Sequence, residues 1–142
     1  MRKQLGLTMA MLALAGPAMA APFDGVWAGT YICNQGTTPL ELFISTPRGG
    51  APAALFYFGD GSPTLPEGCF AMQGAAGPGS LAFTATGWLS RPLGYVTVDL
   101  LGSIGPDGTY TGWVGGPGCT TFSLRRIASA PVPPACQGTP VS

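Results

Sequence analysis

The chain has no histidine, and charged residues make up only 8% of it. Its single lysine, Lys3, sits at the very start. A Ser/His/Asp triad or a Cys/His pair therefore cannot form within the chain, and acid–base chemistry would fall to carboxylates alone. The cysteines show no CxxC spacing, which together with the missing imidazoles argues against a zinc centre or a thioredoxin-like redox motif. No basic run is present, so nucleic acid is an unsuitable partner. Gly115-Gly116-Pro117-Gly118 lacks the Lys-Ser/Thr ending of a phosphate-binding loop and reads as a turn. No stretch has helical periodicity after the first residues.

What is present begins with an export signal. Arg2 and Lys3 precede an apolar run from Leu5 to Leu14, and Ala18-Met19-Ala20 supplies the small residues of a cleavage site. The run is short for a transmembrane helix. Residues 1–20 are thus expected to be a signal peptide, and no cysteine at the junction offers a lipid anchor. The remaining 122 residues suffice for one domain, with four basic and six acidic side chains and a formal charge of −2. The expected location is the periplasm or the extracellular space, with no transmembrane segment in the mature chain.

Glycine (23 residues) and proline (15) are abundant enough to suggest disorder. Large aromatics from Trp27 to Phe122 oppose that reading, since burying them offsets the entropy of ordering the backbone. All four cysteines lie beyond the signal, and an even number in an oxidising compartment predicts two disulfides.

Residues Gly25 to Cys33 set the pattern for the rest. Trp27, Gly29, Tyr31 and Cys33 share one parity, and the β-branched and aromatic content favours a strand. Further strands are predicted at Leu40–Ser45, at the continuously apolar Ala53–Phe58, and at Leu81–Thr86, with a short one at Cys69–Gln73. The apolar Ala53–Phe58 implies a strand covered on both faces. Trp88-Leu89-Ser90-Arg91-Pro92 reads as an irregular linker or exposed corner, because Pro92 lacks an amide donor.

Tyr95–Ile104 and Thr109–Val114 flank Gly105-Pro106-Asp107-Gly108, a hairpin with a type I turn and a left-handed glycine. Pairing Ile104 with Thr109 would put Trp113 on the face of Leu100 and Ile104. Cys119–Arg126 forms the last strand. The form D-G-x-aromatic-x-G occurs at Asp24–Gly29 and again at Asp107–Gly112, either a trace of duplication or a recurrence of common hairpin chemistry.

These elements predict an all-β fold, a small antiparallel barrel of seven or eight strands or else a sandwich, over residues 21–127. Residues 128–142 form a Pro-rich tail tethered by Cys136. First and last strands are neighbours in a closed up-and-down sheet, which favours Cys33–Cys119. That leaves Cys69–Cys136 to join the two least structured regions.

The runs W-A-G-T-Y-I-C-N-Q-G (Trp27–Gly36), W-x-x-R-P-x-G-Y-V (Trp88–Val96) and G-P-G-C-x-x-F-S-L-R-R (Gly116–Arg126) resemble a small secreted bacterial β-domain that occurs alone or beside other modules. Most such sequences have no assigned activity, so the resemblance carries over no catalytic residues. A looser similarity to the periplasmic C-type lysozyme inhibitors rests on Tyr31-x-Cys33-x-x-Gly36.

No catalytic residue, metal or cofactor is predicted. Asp24, Asp60 and Asp107 adjoin glycines and read as turn caps. Asp99 lies mid-strand, either facing solvent or pairing with an arginine. Candidate partner-binding residues are Trp88, Arg91, Tyr95, Arg125 and Arg126, since arginine and aromatic side chains anchor protein interfaces. The sequence thus points to a non-catalytic binding or accessory protein that meets a protein or cell-envelope component. Two alternatives are an inhibitor of a lysozyme or protease and a small-ligand binder with a cavity in the barrel.

Overall fold

The structure is a computed structural model and describes residues 22–138. The predicted signal peptide and the last residues of the tail lie outside that range. Eight antiparallel strands follow in chain order: β1 (Gly25–Cys33), β2 (Gly36–Ser45), β3 (Ala53–Phe58), β4 (Gly68–Gly77), β5 (Ser80–Ser90), β6 (Asp99–Ile104), β7 (Thr109–Gly115) and β8 (Thr121–Ile127). They close into a barrel in which each strand pairs with its chain neighbours. β1 meets β8 from Val26↔Ile127 to Tyr31↔Phe122. Closure leaves no full-length strand edge for a chain with so few charges to protect.

Alternation along each strand sends the large apolar residues inward. Phe56, Phe58, Phe70, Phe83, Leu100 and Tyr110 are essentially inaccessible. Phe56 stacks on Phe70 with centroids 4.4 Å apart, and Tyr31 meets Phe56 edge to face at 5.1 Å. Tyr110 donates its hydroxyl proton to the Leu81 carbonyl at 2.6 Å, so the one polar atom of that ring is satisfied inside the core. These side chains fill the middle of the barrel.

Two glycines make that filling compatible with strand pairing. A Cβ on Gly29 would lie 2.0 Å from the Ser123 carbonyl oxygen, and one on Gly112 would lie 2.0 Å from that of Leu101. Both are the last residue of the repeated D-G-x-aromatic-x-G form. Its aromatics, Trp27 and Tyr110, meet edge to face at 6.1 Å. The echo therefore marks one local device on the two strands that flank β8: a ring turned inward, then a strand with no side chain where its neighbour presses close.

A smaller cluster lies outside the sheet. Val26, Phe43, Tyr57 and Cys69 are covered by Cys136, with Ala130 and Ala135 of the tail packed against them. β3 is apolar on both faces for this reason: Ala54, Phe56 and Phe58 face the core, while Leu55 and Tyr57 lie toward the tail. The disulfides are Cys33–Cys119 and Cys69–Cys136, closing loops with sequence separations of 86 and 67 residues. On the chain-entropy account each stabilises by about 4 kcal/mol.

The structure corrects several boundaries. β4 runs ten residues rather than five, because Gly74–Gly77 pairs with Ser80–Phe83 through backbone alone and offers little bulk to reveal it. β5 continues past Thr86 to Ser90. Register shifts opposite Cys69/Phe70 and Ala71/Met72 interrupt its alternation, so Trp88 pairs with Phe70 and turns inward. The last hairpin is offset by one residue from expectation: Ile104 pairs with Tyr110, and Leu101 with Trp113. Gly108 donates to Gly105 and Gly105 to Thr109, so the loop is a type I turn plus a left-handed Gly108 (φ +81°). That extra residue brings Tyr110 and Val114 to the core and turns Trp113 outward.

Gly112→Ala should destabilise by about 3 kcal/mol, the upper end of the overpacking range, because the clash is with backbone that cannot step aside. Denaturant midpoints of the two oxidised proteins check this. Cys136→Ser should leave the barrel folded while increasing binding of a hydrophobic dye, as the tail lifts from Phe43 and Tyr57.

Candidate binding site at the barrel mouth

Chain direction sorts the connections between two ends. The β1–β2, β3–β4, β5–β6 and β7–β8 connections gather at one end, here called the mouth. The β2–β3, β4–β5 and β6–β7 turns lie at the other. The mouth is irregular because β5 and β6 pair only across Ser80–Phe83 and Leu100–Ser103. Above Phe83 the two strands part, and residues 91–98 cross the opening.

This crossing segment is tightly held. The Tyr95 amide donates to the Pro92 carbonyl at 3.2 Å, with Gly94 at φ +81° completing the turn. Arg91 Nε donates to the Tyr95 carbonyl at 3.0 Å. The Tyr95 ring stacks on Phe58 with centroids 5.4 Å apart, and Val98 enters the core. Asp99 accepts the Ala85 amide at 2.9 Å, so a carboxylate takes the place of a strand partner. Despite these restraints, Leu93 is fully exposed (101%) and Val96 more than half so (57%).

Beneath the segment lies a cavity of about 260 Å³, bounded by Tyr31, Gln35, Phe58, Tyr95 and Val98 and by the Cys33–Cys119 bridge. Its polar side is a short relay. Gln35 Nε2 donates to Thr38 Oγ1 at 3.2 Å and to the Tyr31 hydroxyl at 3.3 Å, and Thr38 Oγ1 donates to the Gly36 carbonyl at 3.3 Å. Burial, then the neighbouring Tyr95, pushes the Tyr31 phenol above its ordinary value, so it stays neutral. A second hollow of about 420 Å³ runs outside the opening, between Ala85–Trp88 and Val96–Thr97, with Arg91 at its rim.

The predicted partner-binding residues do not form one surface. Trp88 is buried (7% exposed) against Phe58 and Phe70 and is corrected to a core residue, the shifted register of β5 having turned it inward. Arg91 and Tyr95 do lie together, with the Arg91 guanidinium 5.8 Å from the Trp88 ring centre. Arg125 and Arg126 stand at the opposite end. Arg125 pairs with Asp107 at 3.6 Å. Arg126 lies over the Trp27 ring at 4.7 Å and donates to the Pro22 carbonyl, closing that end of the barrel.

Of the aspartates read as turn caps, Asp107 caps its own turn and Asp24 bonds instead to a distant strand end. Asp107 accepts the Thr109 amide at 3.0 Å and hydroxyl at 2.9 Å, which hold its carboxyl below the usual range. Asp24 accepts from Thr46 at 2.7 Å. Sequence reasoning missed Leu93 and Val96. The signal for Leu93 was Pro92-Leu93-Gly94, since the second residue of a tight turn points its side chain to solvent.

No protein-family profile, curated protein or solved structure matches the chain. Among the described residues no helix is long and apolar enough to cross a membrane. The two disulfides are consistent with an exported protein.

Partial burial of Glu41, then the nearby Asp60 charge, raises its carboxyl above the ordinary 4.5. The folded state then holds that proton more tightly than the unfolded chain, so ionised Glu41 costs stability at neutral pH and nothing below about 4.5. Glu41→Gln should raise the melting temperature at pH 7 and leave it unchanged near pH 4, as thermal scans at both values would show.

Proposed function

We propose that this is an exported, non-catalytic binding module of the bacterial envelope that engages a protein partner through the mouth segment, residues 91–98. One observation carries the reading: two aliphatic side chains, Leu93 and Val96, are held in water by a segment fixed at both ends and at its middle. Exposing apolar side chains on a rigid turn has no benefit for the isolated fold. It does lower the entropy lost on docking. Arg91, already oriented by the Tyr95 carbonyl, supplies a charged anchor beside them.

The hollow beside β5 favours a partner that contributes an extended segment, because β5 above Phe83 has no β6 ladder partner and the Asp99 carboxylate meets only its Ala85 amide. An inhibitor that places one loop in a foreign active site would use the same segment. The turn at Leu93-Gly94 is tight rather than extended, which suits recognition of a pocket better than mimicry of a protease substrate. The chain's missing imidazoles fit this non-catalytic reading.

The test is affinity capture by the mature, oxidised protein from envelope fractions and medium, with bound proteins identified by mass spectrometry. A specific partner should be retained and its affinity should fall roughly tenfold or more with Leu93→Asp. Tyr95→Ala should weaken it as well by loosening the segment, with slower association. Capture that survives Leu93→Asp and Arg91→Ala together would refute the mouth as the contact.

A further inference from the structure

The outward face of β6, β7 and β8 carries a different chemistry from the mouth. Trp113, on the middle strand, is 66% exposed and sits beside Leu101 (53% exposed) on β6 and Thr121, the first residue of β8. Thr111 precedes it by one step along the same face, and Ser103 and Ser123 lie on either side of Thr111. All four hydroxyl residues are exposed. Neighbouring strands are about 4.8 Å apart, so these hydroxyls stand within one sugar residue's reach of the indole.

The nearest charged side chains are already engaged. Arg125 on β8 is paired with Asp107, and the Asp99 carboxylate is turned to the Ala85 amide. The face thus offers an exposed indole with one exposed apolar neighbour, Leu101, a set of neutral hydroxyls, and a single cation, Arg125, that Asp107 already faces. A protein interface would bury its aromatic in a larger apolar patch than Trp113 and Leu101 alone provide. An anionic ligand would require a cation. The match is to an uncharged, polyhydroxylated chain. The C–H bonds on one face of a pyranose carry partial positive charge that suits the negative face of indole, and its equatorial hydroxyls suit Ser and Thr.

We infer that this face is a binding platform for a neutral, extended polysaccharide, with Trp113 as the stacking residue. It is independent of the mouth, which lies at the end of the barrel rather than on its wall. The two sites together would let the protein hold a glycan and a protein partner at once.

The protein supplies its own reporter. Of its three tryptophans, Trp27 and Trp88 are buried at 2% and 7% exposure, so a fluorescence change on binding reads Trp113. Titration of the mature, oxidised protein with cellohexaose and with chitohexaose should give a saturable blue shift with at least one of them. The shift should persist at about 0.5 M NaCl, since no ion pair is screened. Binding to insoluble cellulose or chitin should weaken at least tenfold with Trp113→Ala and severalfold with Thr121→Val, be largely kept by Trp113→Phe, and be unaffected by Leu93→Asp. Because Trp113 is exposed, the melting temperature should not move. The proposal is overturned if neither oligosaccharide nor either solid is bound, or if binding is indifferent to Trp113→Ala. It is equally overturned if sedimentation shows a dimer that Trp113→Ala dissolves, for then a second copy covers the face.

Discussion

Closure of the barrel depends on the approach of β8 to β1, and that approach depends on a missing side chain. Gly29 lies where a Cβ would meet the Ser123 carbonyl at 2.0 Å. Any other residue there would hold the first and last strands apart, and an open sheet of this composition would expose a long edge with few charges to guard it. The same requirement recurs at Gly112 against β6. Rings and glycines therefore belong to one arrangement. Trp27 and Tyr110 fill the interior because the residues two steps on give up volume to the neighbouring backbone. The disulfide Cys33–Cys119 ties the end of β1 to the connection into β8, beyond the part of the ladder that Gly29 permits.

A barrel closed so tightly on one side relaxes on another. β5 and β6 share only four paired positions, whereas β1 and β2 share nine. The register shifts between β4 and β5 twist β5 away from β6 and bring Trp88 into the core at the same time. Residues 91–98 then have to cross a gap, with Val98 and Tyr95 plugging it from inside and Asp99 standing in for a ladder partner. The exposed Leu93 is a consequence of that geometry: the shortest crossing between two core anchors is a tight turn, and a tight turn displays its second residue.

How much of this was legible depended on whether the relevant signal was a side-chain period or a backbone event. Strands β1 and β3, the two disulfide pairings and the all-β closure follow from alternation, apolar continuity and cysteine placement, and the structure has them as expected. The second half of β4 did not show, because glycine and alanine pair by backbone and leave no period to read. Pro92 makes Trp88 read as part of a corner, and the bulge that turns it inward shifts parity without changing composition. Trp113 was turned to the wrong face by one residue of loop, since Gly105-Pro106-Asp107-Gly108 permits a three- or a four-residue connection and only the register distinguishes them. Arg125 and Arg126 were grouped with Arg91 because distance along a barrel wall is not encoded locally.

Scarcity of charge then shapes how such a surface can recognise anything. Long-range steering requires net charge, and residues 22–138, with four basic and six acidic side chains, have little to offer, so encounter rests on diffusion and short-range fit. Short-range fit is best served by groups that are immobile before contact, which lose less entropy on docking. The molecule meets that need with a disulfide beside its mouth, a tyrosine stacked under the turn at Leu93-Gly94, and side chains of one or two rotatable bonds across its wall. Contacts made by such a surface should be salt-tolerant. The absence of histidine adds a related property: no side chain with an ordinary pKa near neutrality is available to switch the surface as pH varies.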